Sequence, residues 1–263
     1  GVNLKYDVAA FAAVTAIGAA RGNILFTVES NATIAASASF YYNFRNLVFK
    51  MAEKKVMNGA GIAELGFPMW PQLAPETPDQ VADLLRTGKV CYWTGKVGME
   101  FEEAWAKWIG AKMAISTTNG TAALHTAIAA LGIGPGDEVI VPAITFVATM
   151  AYPLAVGAKL VFADVDPRTI NMDPADVARK ITPKTKMIVP VHIGGYPVDM
   201  DPIMEIAKKH NLKVIEDCAQ SYLATYKGKL CGTIGDVGCF SLNDYKQISA
   251  GDGGLLITKD AGI

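Results

Sequence analysis

The stretch Gly134-Pro135-Gly136-Asp137-Glu138-Val139-Ile140-Val141 decides how this sequence is read. A Gly-Pro-Gly turn feeds a short run of branched apolar residues, the pattern of a strand buried on both faces. Thr145 to Val156 follows with helical character, and Lys159 to Ala163 is a second short apolar run. Strand, helix and strand in so short a span form a βαβ unit, whose two strands run parallel.

The same alternation extends outward in both directions. Upstream, Glu100 to Ile109 reads as an amphipathic helix, Met113 to Thr118 as a strand and the Ala-rich Thr121 to Leu131 as a helix. Downstream, Pro174 to Ile181 and Asp201 to His210 read as helices. Lys186 to Val191, Lys213 to Ile215, Cys239 to Leu242 and Gly254 to Ile257 read as strands. The expected fold is α/β, a mostly parallel sheet sandwiched by helices. In such sheets ligands collect at the carboxyl ends of the strands, so the chemistry is sought just after each one.

Composition agrees with a packed domain. The chain has 263 residues, 51% of them hydrophobic and 19% charged, with 24 Lys and Arg against 25 Asp and Glu. That is too apolar for a disordered chain and too evenly charged for a dedicated nucleic-acid module, which needs clustered cations. Cys91, Cys218, Cys231 and Cys239 make no C-x-x-C pair, and there are only three His, so neither a disulfide scaffold nor a zinc site is expected. The apolar stretch Val8 to Ala20 is shorter than the roughly 20 residues a bilayer crossing takes. With Lys5 and Asp7 before it and no clean cleavage site after it, it does not read as a signal peptide. A soluble, cytoplasmic protein without membrane or nucleic-acid partners is expected. Residues 1–50 keep no steady period and differ in texture from the rest; Met51 is one candidate for the true start, and an ordinary N-terminal helical segment is the other reading.

Four loops carry candidate chemistry. Thr117-Thr118-Asn119-Gly120-Thr121 joins a strand to a helix, so the amides of Gly120, Thr121 and Ala122 would point from a helix N-terminus, where an anion is favoured. A simple helix N-cap is the plain alternative. The loop is neither a P-loop nor a dinucleotide fingerprint. Glu216-Asp217-Cys218-Ala219-Gln220 puts two acids at the end of a buried strand, which is costly unless they are paired. One could hold a proton on a heteroaromatic nitrogen, or cap a helix. Ser241-Leu242-Asn243-Asp244-Tyr245-Lys246 sets a lysine between an apolar strand and a Gly-rich turn, where burial would depress its pKa and suit it to attack a carbonyl. Pro142-Ala143-Ile144-Thr145-Phe146 offers an aromatic face, or a core residue. Phosphate donors, a flat ring, an acid and a lysine on one sheet edge form the kit for pyridoxal 5'-phosphate (PLP).

From about residue 67 onward the chain resembles the DegT/DnrJ/EryC1/StrS aminotransferases, fold-type-I PLP enzymes that aminate keto-sugars and cyclic ketones. The resemblance rests on Asn119 to His125, Gly134 to Pro142, Thr145 to Thr149, Val191 to Gly195, Glu216 to Gln220 and Ser241 to Gly254, with Phe67 to Gln72 as an opening. It implies that Lys246 binds PLP covalently and shuttles protons, and that Asp217 pairs with the pyridine nitrogen. It further implies that Gln220 contacts the 3-hydroxyl side, that Phe146 stacks on the ring, and that Gly120, Thr121 and Ser241 hold the phosphate. Family dehydratases carry His at the position of Lys246, so transamination from glutamate or glutamine to a keto-sugar or cyclitol is expected. A homodimer is also implied. The expected organisation is an extension over 1–50, an arm over 51–95 and a PLP-binding large domain over 96–263, with the family's small C-terminal domain missing. An inactive or regulatory PLP-binding member is the competing reading. His192, after a strand, could face substrate or be a satisfied core histidine.

Overall fold

The computed structural model describes residues 71–263. The expectations for residues 1–50, Met51, the apolar stretch Val8 to Ala20 and the opening at Phe67 to Trp70 lie outside the described residues.

Two helices lead in, α1 (Thr77–Thr87) and α2 (Val97–Ile109), both ended by left-handed glycines, Gly88 and Gly110. The core elements then follow as β1 (Met113–Thr117), α3 (Gly120–Ala130), β2 (Glu138–Pro142), α4 (Ala148–Ala155), β3 (Lys159–Ala163), α5 (Pro174–Lys180) and β4 (Thr185–Ile188). After a 3-10 turn at Ile193–Gly195 come α6 (Met200–His210) and β5 (Lys213–Asp217). A two-stranded hairpin, β6 (Thr225–Tyr226) and β7 (Lys229–Leu230), precedes β8 (Val237–Ser241) and β9 (Gly254–Thr258).

The main sheet has seven strands in the order β1-β9-β8-β5-β4-β2-β3. Every pair from β8 to β3 is parallel, while β9 runs antiparallel to both its neighbours. The expected mostly parallel sheet is therefore present, with one reversed strand inside it. Alternation along the strands explains how both faces are buried. Val139 and Val141 face α3 and α4 with Leu124, Ile128 and Ala148, whereas Ile140 faces α5 and α6 with Val177, Ile203 and Ala207. Leu255 and Ile257 pack with Trp105, Phe240 and the rest of the α2 layer, and Leu256 turns to α3. Among the described residues, no helix is long and apolar enough to cross a membrane.

Among the boundaries that differ from the sequence reading, three lie beside the site. The expected strand Lys186 to Val191 pairs regularly only to Ile188, because Pro190 has no amide to give; beyond it the chain keeps contact through the Asp217 amide, which donates to the Pro190 carbonyl at 2.9 Å. The expected helix from Thr145 begins only at Ala148, leaving Thr145 to Val147 as loop. Strand β5 continues through Glu216 and Asp217 instead of stopping at Ile215.

Close approach between β8 and the loop after β7 depends on missing side chains. A Cβ at Gly238 would collide with the Gly232 carbonyl oxygen and backbone, while one at Gly134 would meet nothing within 4 Å. Gly238→Ala is therefore expected to destabilise the protein by about 1–3 kcal/mol in urea unfolding, as overpacking does. Gly134→Ala should change stability by no more than about 1 kcal/mol. Equal effects of the two would contradict the packing described.

Candidate active site

The carboxyl ends of β1, β2, β4, β5 and β8 form one edge, and the sequence-selected residues converge on it. β1 ends at Thr117, and Asn119 caps α3: its side-chain oxygen accepts the Ala122 amide at 2.8 Å and its carbonyl accepts the Thr117 hydroxyl at 2.9 Å. The N-cap reading holds, and the cap spends the Ala122 amide, one of the three expected to face an anion. Among the described residues no acceptor takes the Gly120 or Thr121 amide hydrogens, so both remain at the positive end of the helix. Ser241 closes this corner. A Cβ at Gly120 would stand 2.6 Å from the Ser241 Cβ and 3.2 Å from its Oγ, so only glycine lets the helix start lie beside the serine hydroxyl. Gly254 similarly lies where any side chain would strike the Asn119 carbonyl oxygen.

The two acids of β5 have opposite fates, because consecutive strand residues face opposite sides of a sheet. Glu216 is fully buried and saturated. Its Oε2 accepts from the Gly232 amide at 2.8 Å and pairs with His192 Nε2 at 3.1 Å; its Oε1 accepts the Ile234 and Gly235 amides, both at 2.7 Å. His192 in turn accepts the Val198 amide on Nδ1 at 3.0 Å, which leaves Nε2 as the donor to Glu216. His192 is fully buried, so it is a satisfied core histidine. The Cys218 thiol lies near this pair, and burial followed by the Glu216 charge pushes it well above the ordinary thiol range. His192 and Glu216 spend their ring nitrogens and carboxylate oxygens on internal hydrogen bonds, with the Cys218 thiol beside them.

Asp217 faces α4. Its Oδ2 accepts the Thr149 hydroxyl at 2.9 Å and its Oδ1 accepts the Ala219 amide at 3.1 Å. Burial pushes its carboxyl above the usual carboxylate range; these two hydrogen bonds and the nearby Lys246 oppose that rise. Lys246 sits half-buried on the loop between β8 and β9. Burial pulls its ammonium below the usual lysine range, and Asp217 acts in the opposite direction. The loop is closed at its base by the Leu242 amide donating to the Gly253 carbonyl at 2.7 Å. It is tied to Gln220 by the Gln247 side-chain amide, which donates to the Gln220 carbonyl at 2.9 Å.

Gln220 Oε1 accepts the Gly194 amide at 2.7 Å, which fixes its amide plane. Gly194 and Gly195 both have positive φ, +61° and +82°, and supply the tight turn that makes this bond possible. Phe146 stands on the loop before α4 with 54% of its surface exposed, so it is not a core residue. Thr149 and the Glu216 network escaped the sequence reading. The four-residue spacing of Thr145 and Thr149 would put both on one face of the helix expected from the sequence, which is a signal for the first. Glu216 takes amides 16 to 19 residues downstream, and no local pattern announces that.

The fold and this edge define the large domain of a fold-type-I α/β protein. The chain belongs to the DegT/DnrJ/EryC1/StrS aminotransferase family, whose pattern matches residues 68–263. It is 47% identical to the GDP-perosamine synthase of Caulobacter vibrioides over 193 residues, 72% of this chain and 51% of that one. It is 39% identical to the L-glutamine:2-deoxy-scyllo-inosose aminotransferase of Micromonospora echinospora over 213 residues, 79% of this chain and 51% of that one. Among solved structures, the aminotransferase from Psychrobacter cryohalolentis matches with a TM-score of 0.73 at 46% identity, covering 74% of this chain and 50% of the other. The chain spans about half the length of the curated relatives it matches.

Removing the Glu216 charge should show how much of the fold leans on it. Glu216→Gln sets an NH2 group against two of the four donors and leaves buried groups unpaired. It is expected to cost about 3 kcal/mol or more in urea unfolding. A loss below about 1 kcal/mol would mean that the network is dispensable.

Proposed function

We propose that the chain is the cofactor-binding part of a PLP-dependent aminotransferase that moves an amino group from glutamate or glutamine to a keto group of a nucleotide-sugar or cyclitol. The observation that carries this reading is the meeting, on one sheet edge, of a lysine with a depressed ammonium pKa, a buried carboxylate and a helix N-terminus with two open amides beside Ser241. The donor set suits an anionic ring ligand with a basic nitrogen. When bound, PLP supplies a reactive aldehyde and an electron-withdrawing ring.

The chain's own residues would then divide the work. The Gly120 and Thr121 amides and the Ser241 hydroxyl hold the phosphate. Phe146 covers the ring, Gln220 reaches its 3-hydroxyl side through its Nε2 hydrogens, and Asp217 holds the proton on the ring nitrogen. Lys246 offers its Nζ to the aldehyde in the resting state. A free Lys246 Nζ would move a proton in both halves of a ping-pong cycle. The lowered basicity of a half-buried Lys246 supports this use. A homodimer, in the cytoplasm, with the site completed by the partner, belongs to the same proposal. The similarity to the GDP-perosamine synthase and the inosose aminotransferase supports a sugar or cyclitol acceptor. Lys246 itself favours transamination over the dehydration named for another structural neighbour, which is 32% identical.

One observation favours a second reading. The chain is also 43% identical over 192 residues to a protein of Geobacillus stearothermophilus named as a pleiotropic regulatory protein. A PLP-binding regulator without turnover would carry the same corner.

Borohydride reduction of the full-length, PLP-loaded protein followed by peptide mapping is expected to find the pyridoxyl adduct on Lys246. Lys246→Ala should remove the adduct and lower glutamate-dependent 2-oxoglutarate release by about 100- to 10,000-fold. An unchanged rate in that variant overturns the assignment. An adduct without any 2-oxoglutarate or glutamine-derived oxo acid selects the regulatory reading.

A further inference from the structure

We infer that Thr149 and Thr145 form a directed two-hydroxyl relay that keeps the Asp217 carboxylate ionised and aimed at the ring nitrogen of the bound cofactor. Thr149 is fully buried on the first turn of α4, and Thr145 is half-buried on the loop just before it. The Thr149 hydroxyl donates to Asp217 Oδ2 at 2.9 Å, and the Thr145 and Thr149 hydroxyl oxygens are 2.8 Å apart. A hydroxyl has one hydrogen. Thr149 spends its own on Asp217, so the hydrogen between the two threonines must come from Thr145. The chain of bonds therefore runs one way, from Thr145 through Thr149 to Asp217. Bonds in such a chain polarise one another, which strengthens the last of them.

The carboxylate is held on both sides. Oδ1 takes the Ala219 amide and Oδ2 takes the Thr149 hydroxyl, leaving further lone pairs on each oxygen for an incoming N–H. Both donors favour the charged form, because a protonated oxygen would face a donor with a donor. Other groups around Asp217 are few. Lys246 faces it from the β8–β9 loop, His192 from the segment after β4, and the thiols of Cys239 on β8 and Cys218 just past the end of β5. Glu216 is on the opposite face and fully engaged there. Of these, the free Lys246 amine is the group that can bring a positive charge, since His192 spends Nδ1 as an acceptor, and that amine is the one the proposed chemistry uses. The threonine relay, with the Ala219 amide, then supports the charge on Asp217 when Lys246 is committed elsewhere. Thr149 and Thr145 are positioning residues, since they act through Asp217. The inference rests on the cofactor reading above.

The test uses the full-length protein with Cγ-labelled aspartate, read by carbon NMR without cofactor, with Asp217→Asn assigning the signal. Thr149→Val keeps the shape and removes the hydroxyl. It is expected to raise the Asp217 titration midpoint by about one to two pH units, the worth of a hydrogen bond to a charge. Thr149→Ser should restore the midpoint. In the PLP-loaded protein, Thr149→Val should keep the Lys246 borohydride adduct and lower kcat by about 10- to 100-fold, with the KM for glutamate changed by less than about threefold. An unmoved midpoint and an unchanged kcat, with the adduct present, overturn the relay and leave the proposed function standing. Failure of the wild type to form the adduct strikes the cofactor reading instead. If Thr149→Val does not fold, Thr145→Val carries the decision: a smaller rise of the Asp217 midpoint supports the relay, and no rise overturns it.

Discussion

Two consecutive carboxylates buried at the end of a central strand are the constraint around which this domain is arranged. An unpaired buried charge costs several kcal/mol, and the chain meets that cost twice, at Glu216 and Asp217, by sending them to opposite faces of the sheet. Glu216 draws the segment 232–235 and the His192 turn onto one face through four donors. That bond set holds the connection between β7 and β8, which in turn sets where β8 begins. Asp217 draws α4 onto the other face through Thr149. One acid is exhausted in building the scaffold. The other keeps lone pairs, and that difference separates the structural carboxylate from the one available for chemistry.

The reversed strand β9 completes the arrangement. Because it runs against β8, its first residue, Gly254, arrives at the same edge as Ser241 and pairs with it, and also with Thr117 on β1. The segment carrying Lys246 is thus a loop returning to an adjacent strand, not a crossover. Its ends are pinned by the Leu242–Gly253 bond, and its middle is bonded to Gln220 through Gln247. A lysine on a long free loop would seldom meet Asp217; here its reach is limited by two fixed anchors.

Much of this was legible in the residues. Short runs such as Glu138 to Val141 and Lys159 to Ala163 gave parallel strands because a strand covered on both faces must be apolar throughout. The loops chosen after strands did come together on one edge, since strand direction fixes where each run ends. What escaped was non-local. The meaning of Glu216 depends on amides in another loop, and its sequence neighbours say nothing of them. The hairpin at Thr225 to Leu230 is too short to show a period, and its turn puts Lys227 and Gly228 at positive φ without the usual Asn or Asp. Helix α1 has no buried residue to mark it as part of the core.

Glycine placement explains why the corner beside Ser241 is so tightly specified while the opposite side is open. Gly120 and Gly254 are needed because backbone and Ser241 occupy the space a side chain would take. Three chain segments, the ends of β1 and β8 and the start of β9, therefore meet the α3 N-terminus with no slack. Phe146, Tyr196, Tyr245 and Ile248 are by contrast exposed apolar groups on loops around Asp217, Gln220 and Lys246. The packing thus fixes the corner that would hold an invariant anion and leaves the rim to be finished by whatever enters or covers it. That division suits a site whose cofactor is constant and whose second substrate differs from one relative to the next.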